Sequence, residues 1–233
     1  MRKFAFLLLV LMAVPTLAYV PATSLFGATG LTRIPDAYVV PYKNWNLSAD
    51  FGTAYVNNLQ QPAFMYKANI GAFHNFELGL MGGLDQQGKE MRDGVYVNLK
   101  YSPAIGDGSD PLLLAIGVEN LTSKTQTGLY MVATKPFKQG PLLSFGFMAD
   151  FPNNKFRPLG MAGLAAPMGN ISILGDLFAG ESVFQVNGGV RLFLLNDLCI
   201  EGRAINIAGN DQALTTAKDP KMYLFSLSWL NPF

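Results

Sequence analysis

The chain holds one cysteine and one histidine in 233 residues, and only 14% of its residues are charged. Each scarcity excludes something. Cys199 alone cannot form an internal disulfide, so any exported form of the chain is held together by other means. His74 sits in the stretch FHNF with no second histidine, no cysteine cluster, no acidic repeat and no GxSxG motif anywhere. That leaves no metal-ligand set and no activated nucleophile, so the sequence points away from an enzyme and implies no metal and no cofactor. The 17 basic residues face 16 acidic ones, a balance without the electrostatic footprint of a nucleic-acid binder. Apolar runs are short as well: the longest, Phe4 to Met12, falls below the roughly 20 residues a spanning helix needs.

What is present begins with a secretory pattern. Met1-Arg2-Lys3 is a basic start, FAFLLLVLM is the apolar core, Pro15 breaks it, and Thr16-Leu17-Ala18 offers small residues for cleavage. Residues 1–18 read as a signal peptide removed after Ala18. Cys199 lies far from that point, so no lipoprotein anchor is expected. Cleavage leaves 215 residues and lowers the basic count to 15, giving a net charge of −1. Half the residues are hydrophobic while charges stand well below the about 25% of soluble domains. High apolarity without a spanning helix is the signature of a transmembrane β-barrel, whose strands alternate lipid-facing and lumen-facing residues.

Alternation is visible from Trp45 onward. In WNLSADFGTAY, Trp45, Leu47, Ala49, Phe51 and Tyr55 share one face, and Asn46, Ser48, Asp50 and Gly52 the other. The same period of two runs through 63–72, 76–84, 95–102, 112–120, 128–135, 142–151, 158–166, 171–179, 183–193, 198–207 and 222–230. About twelve strands result, an even number as in single-chain bacterial barrels. With the N-terminus periplasmic, external loops are expected near 57–62, 85–92, 120–127, 152–157, 179–182 and 208–220. Short inner turns are expected at 74–75, 138–140, 168–170 and 195–197, with 106–110 the long exception. At the other terminus Phe225, Leu227, Trp229 and Phe233 form an aromatic register resembling the signal read by the barrel-assembly machinery, with lipid as the cover for those side chains.

The polar phase of each strand collects charges expected to face the lumen: Asp50, Glu77, Glu119, Asp150, Asp176 and Glu201 against Lys67, Lys100, Lys135, Arg191 and Arg203. Arg or Lys on the lipid face costs about 2–4 kcal/mol at the midplane, which drives such residues inward. Twelve strands enclose less room than the 16–18 of open porins. The interior can therefore pack as a salt-bridged core or leave a slim polar path.

Residues 19–44 lack alternation and carry Gly27, Gly30, Pro35 and Pro41. Gly27, Gly30, Leu31, Pro35 and Ala37 resemble an N-terminal motif of YjbH-like outer-membrane proteins. VNLKYSP (97–103), LLLAIGVENLT (112–122), YMVATKPF (130–137), LLSFGFMAD (142–150), ISILGDLFAG (171–180) and VNGGVRLFLLNDLCIEGRAIN (186–206) resemble that family's successive strands, in order. The resemblance implies an association with exopolysaccharide production and export, and names no catalytic residue. The expectation is therefore an all-β chain: a signal peptide (1–18), a periplasmic or plug-like segment (19–44) and an outer-membrane barrel (45–233). Its expected partners are outer-membrane lipid, the barrel-assembly machinery, and polysaccharide or export-complex proteins. The expected role is polysaccharide export or surface assembly, with two alternatives: a narrow porin-like channel for small or lipophilic solutes, or a structural barrel with a packed lumen.

Overall fold

The computed structural model describes residues 22–56, 59–84, 90–103, 112–138, 140–181, 183–194, 197–209 and 221–231. The expected signal peptide and Phe233 lie outside them. Two short strands, β1 (Ala22–Thr23) and β2 (Thr29–Gly30), pair only with each other. The wall begins with β3 (Trp45–Val56), β4 (Leu59–Phe73), β5 (Phe76–Leu84), β6 (Glu90–Tyr101), β7 (Leu113–Glu119) and β8 (Gln126–Pro136). It continues through β9 (Leu142–Pro152), β10 (Arg157–Met168), β11 (Ile171–Ala179), β12 (Phe184–Phe193), β13 (Leu198–Gly209) and β14 (Lys221–Asn231). Each wall strand pairs antiparallel with the next, and β14 pairs back onto β3, so twelve strands form a closed barrel with no free edge.

The period of two explains the two faces. Along β14, Met222, Leu224, Ser226, Ser228 and Leu230 are buried, whereas Tyr223, Phe225, Leu227 and Trp229 are each 44–52% exposed. The exposed set continues around the cylinder in Phe51, Phe145, Phe147, Ile173 and Val190. Aromatic pairs mark both ends of this belt: Trp45 against Trp229 at 5.3 Å, and Tyr55 against Tyr223 at 6.0 Å between ring centroids. Ten residues of strand separate Trp45 from Tyr55. At about 3.3 Å per residue and a tilt of about 40°, they span about 25 Å, the height of an outer-membrane apolar band. The chain has the architecture of an outer-membrane barrel.

The end where β3 starts is called proximal, the opposite end distal. Strands extend further toward the distal end than the alternation alone suggested. Leu59–Gln61 belong to β4 rather than to a loop over 57–62, Gln126 and Thr127 belong to β8, and Arg157 opens β10. Ladder pairing continues past the apolar belt, where polar side chains hide the period of two. β7 is the short strand. It meets β6 only at Leu99↔Val118, Lys100↔Gly117 and Tyr101↔Ile116. Beyond it Asn120 turns with φ 54°, and Thr122 Oγ1 stands in for the missing ladder. That hydroxyl donates to Val95 O (2.9 Å) and accepts from Val97 N (3.3 Å).

Residues 22–40 occupy the lumen. Ala22 packs on Phe193, Cys199 and Leu230 at the proximal end. The chain then climbs through the β1–β2 hairpin, placing Leu25 and Phe26 against Met65, Met81, Ile205, Met222 and Leu224. Leu31, Ile34 and Ala37 pack on the opposite wall against Val132, Met148, Met161, Leu174 and Phe178. The return passes Tyr42, which bridges Gly71 in β4 at the proximal end again. Both ends of the segment thus lie at one mouth. Gly71 permits that exit, because a Cβ there would lie 1.9 Å from Pro41 O.

Candidate functional site

The lumen is the candidate site, and three groups of charges line it. The first spans β4, β3, β13 and β12. Lys67 donates to Asp50 and to Ser24 O (2.8 Å). Arg203 donates from Nε to Glu201 Oε1 (2.7 Å), from NH1 to Asp50 Oδ2 (3.3 Å) and from NH2 to Thr23 O. Arg191 Nε donates to Glu201 Oε2 (2.8 Å) and its NH2 to Gly30 O (3.2 Å). Ser226 Oγ completes Asp50 at 2.6 Å. Five buried wall charges therefore pair among themselves, and the inserted segment adds three backbone carbonyls.

The second group joins β5 and β6 to the segment. Glu77 accepts from Thr29 N (2.9 Å), Thr29 Oγ1 (2.7 Å), Val40 N (3.0 Å) and Asn69 Nδ2 (3.0 Å). Lys100 Nζ is ringed by Thr29 O (2.7 Å), Tyr38 O (2.6 Å), Asp36 O (3.2 Å) and the Thr29 hydroxyl. The Asp36 carboxylate stands 3.6 Å from it and that of Glu77 4.0 Å. Asn98 Nδ2 reaches Phe26 O at 2.7 Å, and Asn69 Nδ2 reaches Gly27 O at 2.6 Å.

The third group lies across the lumen on β7, β9 and β11. Arg33 NH1 donates to Glu119 Oε2 at 3.1 Å, with its guanidinium 3.8 Å from the Phe26 ring centroid and 4.8 Å from that of Phe178. Asp176 accepts from the amides of Arg33 (2.7 Å) and Ile34 (3.4 Å), and from Asn187 Nδ2 (2.7 Å). Asp150 pairs with Arg157 and accepts from Gln126 Nε2 at 3.0 Å.

Ten of the eleven charges assigned to the lumen by alternation thus point inward and are buried. Lys135 does not. It shares the outward phase of β8 with Leu129 and Met131 and is half-buried, one residue before the strand's proximal end. Near a strand end a lysine reaches the interface along its apolar stem, so the lipid-face penalty falls to about 0–1 kcal/mol. Alternation missed Arg33 and Asp36, because their segment has no period. The available signal was compositional: two charges inside an apolar, proline-broken stretch next to a wall with more acids than bases. Of the motif residues, Gly27 has φ 94°, and a Cβ on Gly30 would lie 2.3 Å from Ile34 O. Leu31 and Ala37 are buried in the lumen, and Pro35 bridges Gly30. At the proximal rim His74 tilts against Tyr42, 4.6 Å between ring centroids. Phe225, Leu227 and Trp229 face the lipid side, and Trp229 Nε1 donates to Asp197 at 3.3 Å.

No protein-family model matches the chain, and no curated protein matches it. Among solved structures it is similar to the KdgM porin, with a TM-score of 0.51 and 10% identity over 78% of this chain and 98% of that one. KdgM has also been solved in complex with disordered oligogalacturonate, with the same TM-score and coverage. The NanC porin gives a TM-score of 0.52 at 9% identity, again over 78% of this chain and 98% of that one. These likenesses are of fold: the chain has the closed-barrel fold of outer-membrane porins.

Proposed function

We propose that the protein is a porin-like barrel of a diderm outer membrane whose lumen is closed by its own N-terminal segment. A small polar solute passes when that segment withdraws through the proximal mouth, which faces the periplasm. The observation that carries this reading is how the segment is held. Beside the apolar packing of Leu25, Phe26, Leu31 and Ile34, its attachments to Lys67, Glu77, Lys100, Glu119, Asp176, Arg191 and Arg203 are hydrogen bonds and ion pairs that water can replace. Because both its ends lie at one mouth, withdrawal threads no chain through the barrel, and the wall left behind carries the three charge groups beside the apolar patches that Leu25, Phe26, Leu31 and Ile34 had covered. Export by the signal peptide and insertion by the barrel-assembly machinery complete the proposal.

The polyanion bound by KdgM is a poor guide to the solute here. The described wall buries six carboxylates, Asp50, Glu77, Glu119, Asp150, Asp176 and Glu201, against four cations, Lys67, Lys100, Arg191 and Arg203. A second reading, assistance to exopolysaccharide export or surface assembly, draws support from the YjbH-like resemblance, whose motif residues Gly27, Gly30, Leu31, Pro35 and Ala37 are those that shape the inserted segment. A polysaccharide locus beside the gene would favour it.

Conductance across a planar bilayer tests the leading reading. The full chain is expected to carry little steady current, and a variant lacking 24–40 to conduct. A deletion variant that still forms a heat-modifiable barrel but stays silent would leave the structural barrel with a packed lumen.

A further inference from the structure

Arg33 is held by fewer bonds than Arg203. Arg203 donates from all three of its nitrogens to carboxylates or a carbonyl. Arg33 makes one ion pair, through NH1 alone, while its Nε has no partner among the described residues. Glu119 Oε1 is equally without a partner, although Glu119 is only 2% exposed. A guanidinium and a carboxylate that face each other freely form two parallel hydrogen bonds. Here the tether of the inserted segment allows one.

The chamber around Arg33 has the parts of a receptor for an organic cation. Glu119 supplies the anion, and Phe178 a wall ring 4.8 Å from the guanidinium carbon, within cation–π range. Gln185 is Phe178's partner in the β11–β12 ladder and faces inward. It is wholly buried, and neither its Oε1 nor its Nε2 has a partner among the described residues. Buried donors and acceptors left unpaired are costly and uncommon in native proteins. Those of Arg33, Glu119 and Gln185 need an explanation. The chamber also lies near the distal ends of β7 and β11 and the distal start of β12, where a solute arriving from that side meets the lumen first.

We propose that Glu119 and Phe178, with Gln185 beside Phe178, form a receptor for a guanidinium or small alkylammonium solute, and that Arg33 is its tethered occupant. This rests on the reading of a withdrawable plug and names the class of solute that takes Arg33's place. A free guanidinium makes the two-bonded pair with Glu119 that the tether denies, and keeps the face of Phe178 that Arg33 now uses. Once the segment has left, Asp176 also loses the Arg33 and Ile34 amides, so the emptied chamber favours a cation further.

The test uses the full chain carrying Arg33→Ala, which opens the chamber without removing the segment. Methylguanidinium at millimolar concentration is expected to raise the heat-unfolding midpoint of this variant and to leave that of the unsubstituted protein unmoved. Adding Glu119→Gln should weaken the response about tenfold or more, as loss of a charge-assisted bond does. If Arg33→Ala alone does not assemble, the yield of refolded barrel with and without methylguanidinium is the readout. No methylguanidinium response, or a response that survives Glu119→Gln, overturns the receptor. The withdrawal reading fails separately, through a silent 24–40 deletion variant. If that variant conducts, its current should be cation-selective and blocked by methylguanidinium; an anion-selective current would overturn the receptor alone.

Discussion

Two sides of one lumen are built on different plans. On β3, β4, β12 and β13, Lys67, Asp50, Arg203, Glu201 and Arg191 pair wall to wall, and the inserted segment supplies only carbonyls. On β7 and β11, Glu119 and Asp176 depend on the segment itself: on the Arg33 guanidinium and two backbone amides. If the segment leaves, the first side keeps its ion pairs and the second is left anionic. One side's pairing is independent of the segment, and the other's is completed by it.

The largest blow to this contrast should be Glu201→Ala. It strands Arg191 and Arg203 in a buried site, and breaking a buried pair costs about 3–5 kcal/mol. Loss of most of the heat-modifiable band on a gel is expected, whereas Glu119→Ala, which strands only a residue on a removable segment, should retain it. Equal losses would erase the distinction. Next comes Gly71→Val, whose Cβ would meet Pro41 O at 1.9 Å. The barrel should assemble while the segment is expelled, seen as new protease cleavage within 22–44 and as bilayer current. Arg33→Ala should follow, with a lower unfolding midpoint and no loss of assembly. The mildest change is Thr134→Val, which removes the hydroxyl that accepts from Ala37 N at 2.9 Å. A loss of about 1 kcal/mol is expected, read as faster hydrogen exchange at the Ala37 amide with the wall amides of β12 and β13 unchanged.

The wall was legible because a period of two is imposed directly by the pleat: lipid outside and polar partners inside force every second residue to change character. All twelve strands could therefore be located from Trp45 onward, and Asp50, Glu77 and Glu201 carried their inward direction in their phase. Lys135 misled because at a strand end the interface tolerates a charge on either face. The inserted segment was illegible beyond its boundaries for the opposite reason. Its carbonyls and amides do most of the bonding, to Lys100, Lys67, Arg203 and Glu77, and backbone atoms are the same in every sequence. The glycines at 27 and 30 marked an unusual path without saying which wall residues it would meet.

The seam between β14 and β3 has a consequence for how the cylinder is made. Ser226 reaches Asp50 across 176 residues of chain, and Ser228 reaches Ser48 across 180. Contacts so distant in sequence carry the largest loop-closure entropy and form slowly. Residues 22–40 precede every wall strand in order of synthesis, yet they bind early strands through Lys67, Glu77 and Asn98 and late ones through Arg191 and Arg203. In that position they would serve as a mandrel: a core on which the early hairpins settle and to which the late hairpins return, so that the final seam joins strands already gathered around a common centre. Refolding of the full chain, followed by the gel shift, should accordingly outpace that of a chain without 24–40.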